Sequence, residues 1–254
     1  MWDPKKYLAF TDHRARPFFD LIARIDTDTP RRVVDLGCGP GNLTETLAER
    51  WPHAHLDAVD SAPEMVEAAR GRGIDARVLD VREWVPEPDT DVVVSNAVLQ
   101  WVPEHSDLLR IWLDALPHGA WFAMQVPGNF EAPSHRELRA LAAEPRWRDR
   151  LDDVELRGGD AVPDPADYAT ILATGDVTVD VWETTYLQRL SGPDPVLEWV
   201  SGTALRPIRA VLDDTDWQRF RGELAPRLRA AYPPNQDTST WFPFRRLFAV
   251  AHKN

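Results

Sequence analysis

The chain predicts a doubly wound, mostly parallel α/β sheet of seven strands with a helical cap. Three observations carry this reading. Short apolar strands alternate with amphipathic stretches in a β-α-β-α-β-β-α-β pattern with short loops, as far as Pro127. Asp91 to Ser95 is a near-continuous valine run, of the kind that parallel sheets bury on both faces. After Pro127 the alternation breaks and charge gathers with Pro133, Pro145, Gly158 and Gly159.

Residues 1–30 read as a polar, aromatic-studded leader or lid with a helical stretch from Arg14 to Ile25. Val33 to Leu36 is strand one. Gly41 to Trp51 follows as a helix, with Leu43, Leu47 and Trp51 at helical spacing. His55 to Val59 is strand two, ended by Asp60. A helix from Pro63 to Arg70 takes proline in its first turn, with Ser61 as its expected cap. Arg77 to Leu79 and Asp91 to Ser95 are strands three and four. His105 to Leu116 is an amphipathic helix, and Gly119 to Val126 is strand five.

Beyond the break, 128–162 reads as helix and loop, Asp167 to Ala173 as helix, and Val177 to Thr185 as a strand of alternating apolar residues. Residues 193–232 read as three helices broken at Pro207 and near Asp213. Phe248 to Ala251 is the last strand. The expected organisation is an α/β domain of 31–127, 166–187 and 241–254, and a cap of 128–165 and 190–240.

Composition narrows the function. At 254 residues and 43% hydrophobic, the chain has material for a full core. Its net charge of −12 argues against a nucleic-acid partner, which needs basic surface. No run approaches the roughly 18 apolar residues of a membrane span, and no signal-peptide pattern opens the chain. The single cysteine, Cys38, excludes an internal disulfide and fits a cytoplasmic setting. His13, His105, His118 and His135 lack metal-ligand spacing, so no metal is expected. Oligomeric state is not readable.

The most informative stretch is Val33-Val34-Asp35-Leu36-Gly37-Cys38-Gly39-Pro40-Gly41-Asn42. It reads as strand, tight turn and helix start, the layout of a nucleotide-type cofactor loop. Glycines let the backbone turn sharply and approach a ligand. A dinucleotide fingerprint, however, would need glycine at Asn42. Asp35, two residues before the first glycine, repels a pyrophosphate and attracts a cation. The ligand this favours is S-adenosylmethionine (SAM), with its sulfonium and amino groups, over NAD. Asp60, ending strand two, is placed to accept hydrogen bonds from ribose hydroxyls. Met65 is a candidate contact for the adenine face, with core packing as the competing reading.

These residues resemble motif I of the class I methyltransferases, which implies a Rossmann-like sheet and a SAM site that includes Asp35, Gly37, Cys38, Gly39, Asn42, Asp60 and Ser61. The resemblance implies that Asp80 accepts the adenine amino group while the Val81 N–H meets the ring. It also places Asn96 and Ala97 at the methionine end of the cofactor and Trp101 beside it, with Gln100 and Trp101 facing the substrate side; for Trp101 a simple core residue is the competing reading. The Asn/Asp-Pro-Pro-Tyr/Phe motif of many amine methyltransferases is missing at Ser95-Asn96-Ala97-Val98, so an exocyclic amine is not the expected target.

Along most of its length the chain resembles the trans-aconitate 2-methyltransferase family. The segments that carry this include Trp182-Glu183-Thr184-Thr185-Tyr186, Glu198-Trp199-Val200, Leu205-Arg206-Pro207 and Phe242-Pro243-Phe244-Arg245-Arg246-Leu247-Phe248. The resemblance implies monoesterification of a tricarboxylate, with S-adenosylhomocysteine (SAH) as the spent cofactor. A carboxylate is already ionised at neutral pH, so in-line attack on the methyl needs no base and no catalytic acid or base is expected. Arg206 and Arg246, and less directly Arg245, are the candidate grips for the acid. Tyr186, Trp199 and Trp101 are candidate walls, and Tyr7 a candidate cover. Another small acid or an acyl carrier as acceptor, and a non-catalytic SAM binder, stay open as alternatives.

Overall fold

The computed structural model describes residues 11–254. Helix α1 (Thr11–Ile22) leads into β1 (Arg32–Leu36), α2 (Thr44–Arg50), β2 (His55–Asp60), α3 (Pro63–Arg70) and β3 (Ala76–Val78). Then come β4 (Thr90–Asn96), α4 (His105–Ala115) and β5 (Trp121–Pro127). The later elements are α5 (Pro133–Ala142), α6 (Pro145–Arg148), α7 (Pro165–Leu172), β6 (Val177–Leu190), α8 (Pro195–Ser201), α9 (Arg206–Val211), α10 (Asp214–Ala231) and β7 (Thr240–Lys253).

The seven strands form one sheet in the order β3-β2-β1-β4-β5-β7-β6. β1 to β5 pair in parallel, and β7 runs antiparallel to β5. The predicted mostly parallel, doubly wound sheet is therefore the observed one. The strand order reverses beside β1, so the carboxyl ends of β1 and β4 flank a crevice, the usual ligand position in such sheets.

The chain divides into two compact units. The first holds the described residues up to Pro127, Val162–Thr184 and Arg246–Asn254. Its core is the valine run of β4 with Phe122, Met124 and Leu36, all buried. Helices α4 and α7 pack together. The buried His105 ring ties them, with Nδ1 2.7 Å from the Val102 carbonyl and Nε2 2.9 Å from the Tyr168 hydroxyl. The second unit holds Gly128–Ala161 and Thr185–Arg245. There α10 packs on α5 and α8, and Trp199 sits in an aromatic cluster with Phe242 and Phe244.

Several boundaries differ from the sequence reading for physical reasons. Helix α2 starts at Thr44, since Gly41 sits at φ +78°, outside helical geometry. Pro207 opens α9 from its first turn and does not break a helix, because proline lacks only an N–H that the first turn leaves unused. Ser61 does not cap α3. The Asp60 carboxylate instead accepts from the Ala62 N–H at 2.9 Å. The last strand starts at Thr240 rather than Phe248, and β6 runs to Leu190 rather than Thr185. In both extensions inward and outward residues alternate, as in Trp241, Phe242, Pro243 and Phe244.

Candidate active site

The glycine loop leaves β1 and reaches α2 through three left-handed residues, Gly37 (φ +82°), Gly39 (φ +54°) and Gly41 (φ +78°). Their surroundings differ. A Cβ on Gly37 would lie 2.1 Å from Val98 Cγ2, and one on Gly41 would lie 3.0 Å from the Ala69 backbone. A Cβ on Gly39 would meet nothing within 4 Å. Packing thus demands the outer two glycines, while Gly39 leaves a bare stretch of backbone facing open space.

Two acids frame this loop from adjacent strand ends. Asp35 is buried, and its Oδ2 accepts a 2.7 Å bond from the Thr44 hydroxyl. Burial pushes its carboxyl up to about 6, against the Thr44 bond and with help from Asp60. Asp60 Oδ2 accepts from the Gly39 N–H at 2.9 Å, and Oδ1 accepts from Ala62. Burial raises this carboxyl as well, while the two backbone N–H bonds oppose the rise. Each Asp60 oxygen keeps a second lone pair for a ligand donor. The Gly37 and Cys38 N–H groups both donate to the Val59 carbonyl, which pins the loop to β2.

Cys38 lies in an apolar cluster with Ala58, Val66, Ala69, Ile74 and Ala76, and burial drives its thiol far up. That environment suits a packing residue and not a nucleophile. Asn42 is half-buried and Ser61 is exposed. Met65 is 3% exposed, so most of its surface is spent on core packing. Asp80 caps the short turn at Val81–Glu83 and is gripped by Arg82 at 2.6 Å. The Val81 side chain is buried.

At the end of β4, Ala97 takes a left-handed backbone (φ +59°), rare for a residue with a Cβ. Neighbours on both sides hold it. Its N–H donates to the Gln125 carbonyl at 2.9 Å, and its carbonyl accepts from Gln100 Nε2 at 2.6 Å. Strain retained beside a ligand crevice is common at functional sites. Gln100 is buried, whereas Trp101 is 42% exposed, which removes the reading of Trp101 as a core residue.

Among the proposed acid grips, Arg246 belongs to the first unit and is 6% exposed. Its Nη1 donates to Gln125 Oε1 at 3.3 Å. Arg206, Arg245, Tyr186 and Trp199 belong to the second unit. Arg206 opens α9 and is half-buried, and Arg245 Nη1 donates to the Gly128 carbonyl at 3.2 Å. Tyr186 and Trp199 are buried. Tyr7 lies outside the described residues. Among the described residues no acid, histidine or cysteine cluster is arranged to hold a metal, and no helix is long and apolar enough to cross a membrane.

The sequence reading missed Thr44 and Gln125. Gln125 left a signal, as a lone polar residue in the apolar stretch Trp121-Phe122-Ala123-Met124-Gln125-Val126. Thr44 left none, because a threonine in a first helical turn is ordinary.

A family model described as a methyltransferase domain matches residues 10–158. The chain is 64% identical to the trans-aconitate 2-methyltransferase of Rhodococcus jostii, over 99% of each chain. It is 58% identical to the protein of that name from Mycobacterium tuberculosis, covering 99% of this chain and 96% of the other. Among solved structures it is similar to Haemonchus contortus phosphoethanolamine N-methyltransferase 2 in complex with S-adenosyl-L-methionine. That match has a TM-score of 0.54 at 15% identity, over 94% of this chain and 53% of that one. It is also similar to the YcgJ protein of Bacillus subtilis, with a TM-score of 0.55 at 15% identity, over 96% and 99% of the two chains. At such identities the two structures speak to the fold alone.

Proposed function

Because the chain belongs to the trans-aconitate 2-methyltransferase family, we propose that it transfers a methyl group from SAM to a carboxylate of trans-aconitate, leaving the monomethyl ester and SAH. The observation that carries the cofactor assignment is the pair Asp35 and Asp60, both driven upward by burial, beside the open face of Gly39. Buried acids in this state gain most from a ligand that brings positive charge and hydroxyl donors. SAM, when bound, supplies an electrophilic methyl on a cationic sulfur.

The chain's own residues then bind, align and exclude water. Asp60 keeps lone pairs for ribose hydroxyls, and Asp35 offers a carboxylate to the cationic end. Arg206 and Arg246, with Arg245, are the proposed partners of the acid, since a guanidinium meets a carboxylate with two parallel bonds. Tyr186, Trp199 and Trp101 are the proposed walls, with Tyr7 as cover. No side chain needs to remove a proton, because the attacking oxygen is already ionised. Rate then comes from alignment and desolvation. The acidic net charge of −12 disfavours nucleic acid as acceptor and makes local arginines necessary for a trianion. The test is incubation of the purified protein with methyl-labelled SAM and trans-aconitate. Labelled ester is the expected product, and no transfer above the acid-free control would defeat the proposal.

A further inference from the structure

We propose that Gln125 is a positioning residue that locks the Asn96 side chain with its NH2 group turned outward, as a hydrogen-bond donor for a ligand carboxylate. Three neighbouring strands contribute. Asn96 ends β4 and is paired in register with Gln125 on β5, and Arg246 lies on β7. Arg246 Nη1 lies 3.3 Å from Gln125 Oε1, and Gln125 Nε2 lies 2.9 Å from Asn96 Oδ1.

The order of these groups is forced. A guanidinium carries donors only, so Gln125 must offer Arg246 its oxygen. The Gln125 NH2 then faces Asn96, which must answer with oxygen, and the Asn96 NH2 is left on the side away from Gln125. Gln125 is 1% exposed and Arg246 is 6% exposed, so water cannot cheaply replace either link. Asn96 is half-buried and followed by the strained Ala97, whose N–H is held by the Gln125 carbonyl. One glutamine thus fixes both the backbone and the side-chain polarity at the end of β4. The matching ligand group is a carboxylate, of which the proposed reaction offers two: the methionyl carboxylate of the cofactor and the acceptor acid. The identity of these ligands rests on the proposed function; the polarity of the relay does not.

Gln125→Glu is the sharp test, since it keeps shape while offering oxygen on both sides. The introduced carboxylate would still pair with Arg246, but Asn96 would have to turn its NH2 inward and show oxygen to the ligand. The expected result is an unchanged melting temperature with a roughly 10- to 100-fold loss in SAH affinity by calorimetry or in KM for the acid. The first loss assigns the methionyl carboxylate, and the second assigns the acceptor. Asn96→Ala should weaken the same parameter, and adding Gln125→Glu to it should do nothing further. Persistence of the full Gln125→Glu effect in the Asn96→Ala background would overturn the proposal, because it would trace the loss to neutralised Arg246. So would wild-type behaviour of Gln125→Glu in both assays. Should Gln125→Glu fail to fold, Asn96→Asp keeps the bond to Gln125 Nε2 but presents an anionic oxygen outward. Carboxylate binding equal to wild type in that variant would overturn the proposal equally. A wild-type protein that methylates no acid would refute the functional reading alone, as the SAH measurements still report on the relay.

Discussion

The Thr44 hydroxyl donates to the Asp35 carboxylate at 2.7 Å, so the first turn of α2 reaches back beneath the glycine loop to the end of β1. Both groups are buried. Thr44→Val keeps the shape and removes the donor. At pH 8 this should destabilise the protein by about 1.5–3 kcal/mol, the usual value of a hydrogen bond to a charged group. At pH 5 Asp35 is mostly protonated and the loss should be smaller. Urea titrations at the two pH values check this, and equal losses would mean that the bond is not made to a carboxylate.

Asp35 also sets a pH dependence. Its folded-state value of about 6 lies above the ordinary 3.8. Between those values the folded chain holds a proton that the unfolded chain has released, so stability falls as pH rises through that window. Asp35→Asn should shrink this decline to the part that the raised Asp60 carboxyl contributes. SAM affinity should run the other way, rising as pH climbs through about 6, because only the ionised form attracts a cation. Calorimetry across pH 5–8 checks it, and a flat profile in the wild type would contradict the assignment. Asp60, close enough to raise Asp35, shares in the titration, so the midpoint belongs to the pair.

The glycines should separate fold from binding. Gly37→Ala places a methyl 2.1 Å from Val98 Cγ2 at φ +82° and should lower the melting temperature sharply. Gly39→Ala meets nothing within 4 Å and bears only the left-handed strain at φ +54°, about 1–2 kcal/mol. Its melting temperature should fall little while SAM affinity falls much more. Scanning calorimetry with SAM titration resolves the two, and parallel losses in both variants would mean that Gly39 serves packing alone.

What was legible beforehand follows from the range of each interaction. Pro63 to Arg70 reads correctly because proline and helical periodicity are local signals, and β4 reads correctly because Val92, Val93 and Val94 show their burial in composition. The SAM loop was visible because Asp35 and the glycines lie within seven consecutive positions. The Asp35–Thr44 bond and the Asn96–Gln125–Arg246 relay were not visible. The first spans nine positions and depends on how the glycine loop turns; the second joins residues that only the sheet order brings together, 29 positions apart for Asn96 and Gln125 and 121 for Gln125 and Arg246. The length of β7 was missed because Pro243 and the Arg245-Arg246 pair after it mask a strand whose alternation appears only once its inward face is known.

Arg206 offers the most direct test of acid recognition. It is half-buried at the start of α9, in the Leu205-Arg206-Pro207 segment, with Pro207 fixing the backbone just after it. Arg206→Ala should raise KM for trans-aconitate by roughly 10- to 100-fold, the equivalent of losing a charge-assisted bond. SAH affinity should stay unchanged, because the role proposed for Arg206 is to grip the acceptor acid, and SAH carries no part of that acid. Arg206→Lys keeps the charge but loses the planar fork, so it should recover only part of the loss. If alanine weakens SAH binding as much as acid binding, Arg206 supports the fold rather than the substrate. The lysine variant separates the two readings further, since a purely structural arginine would leave KM insensitive to fork geometry wherever the melting temperature is restored.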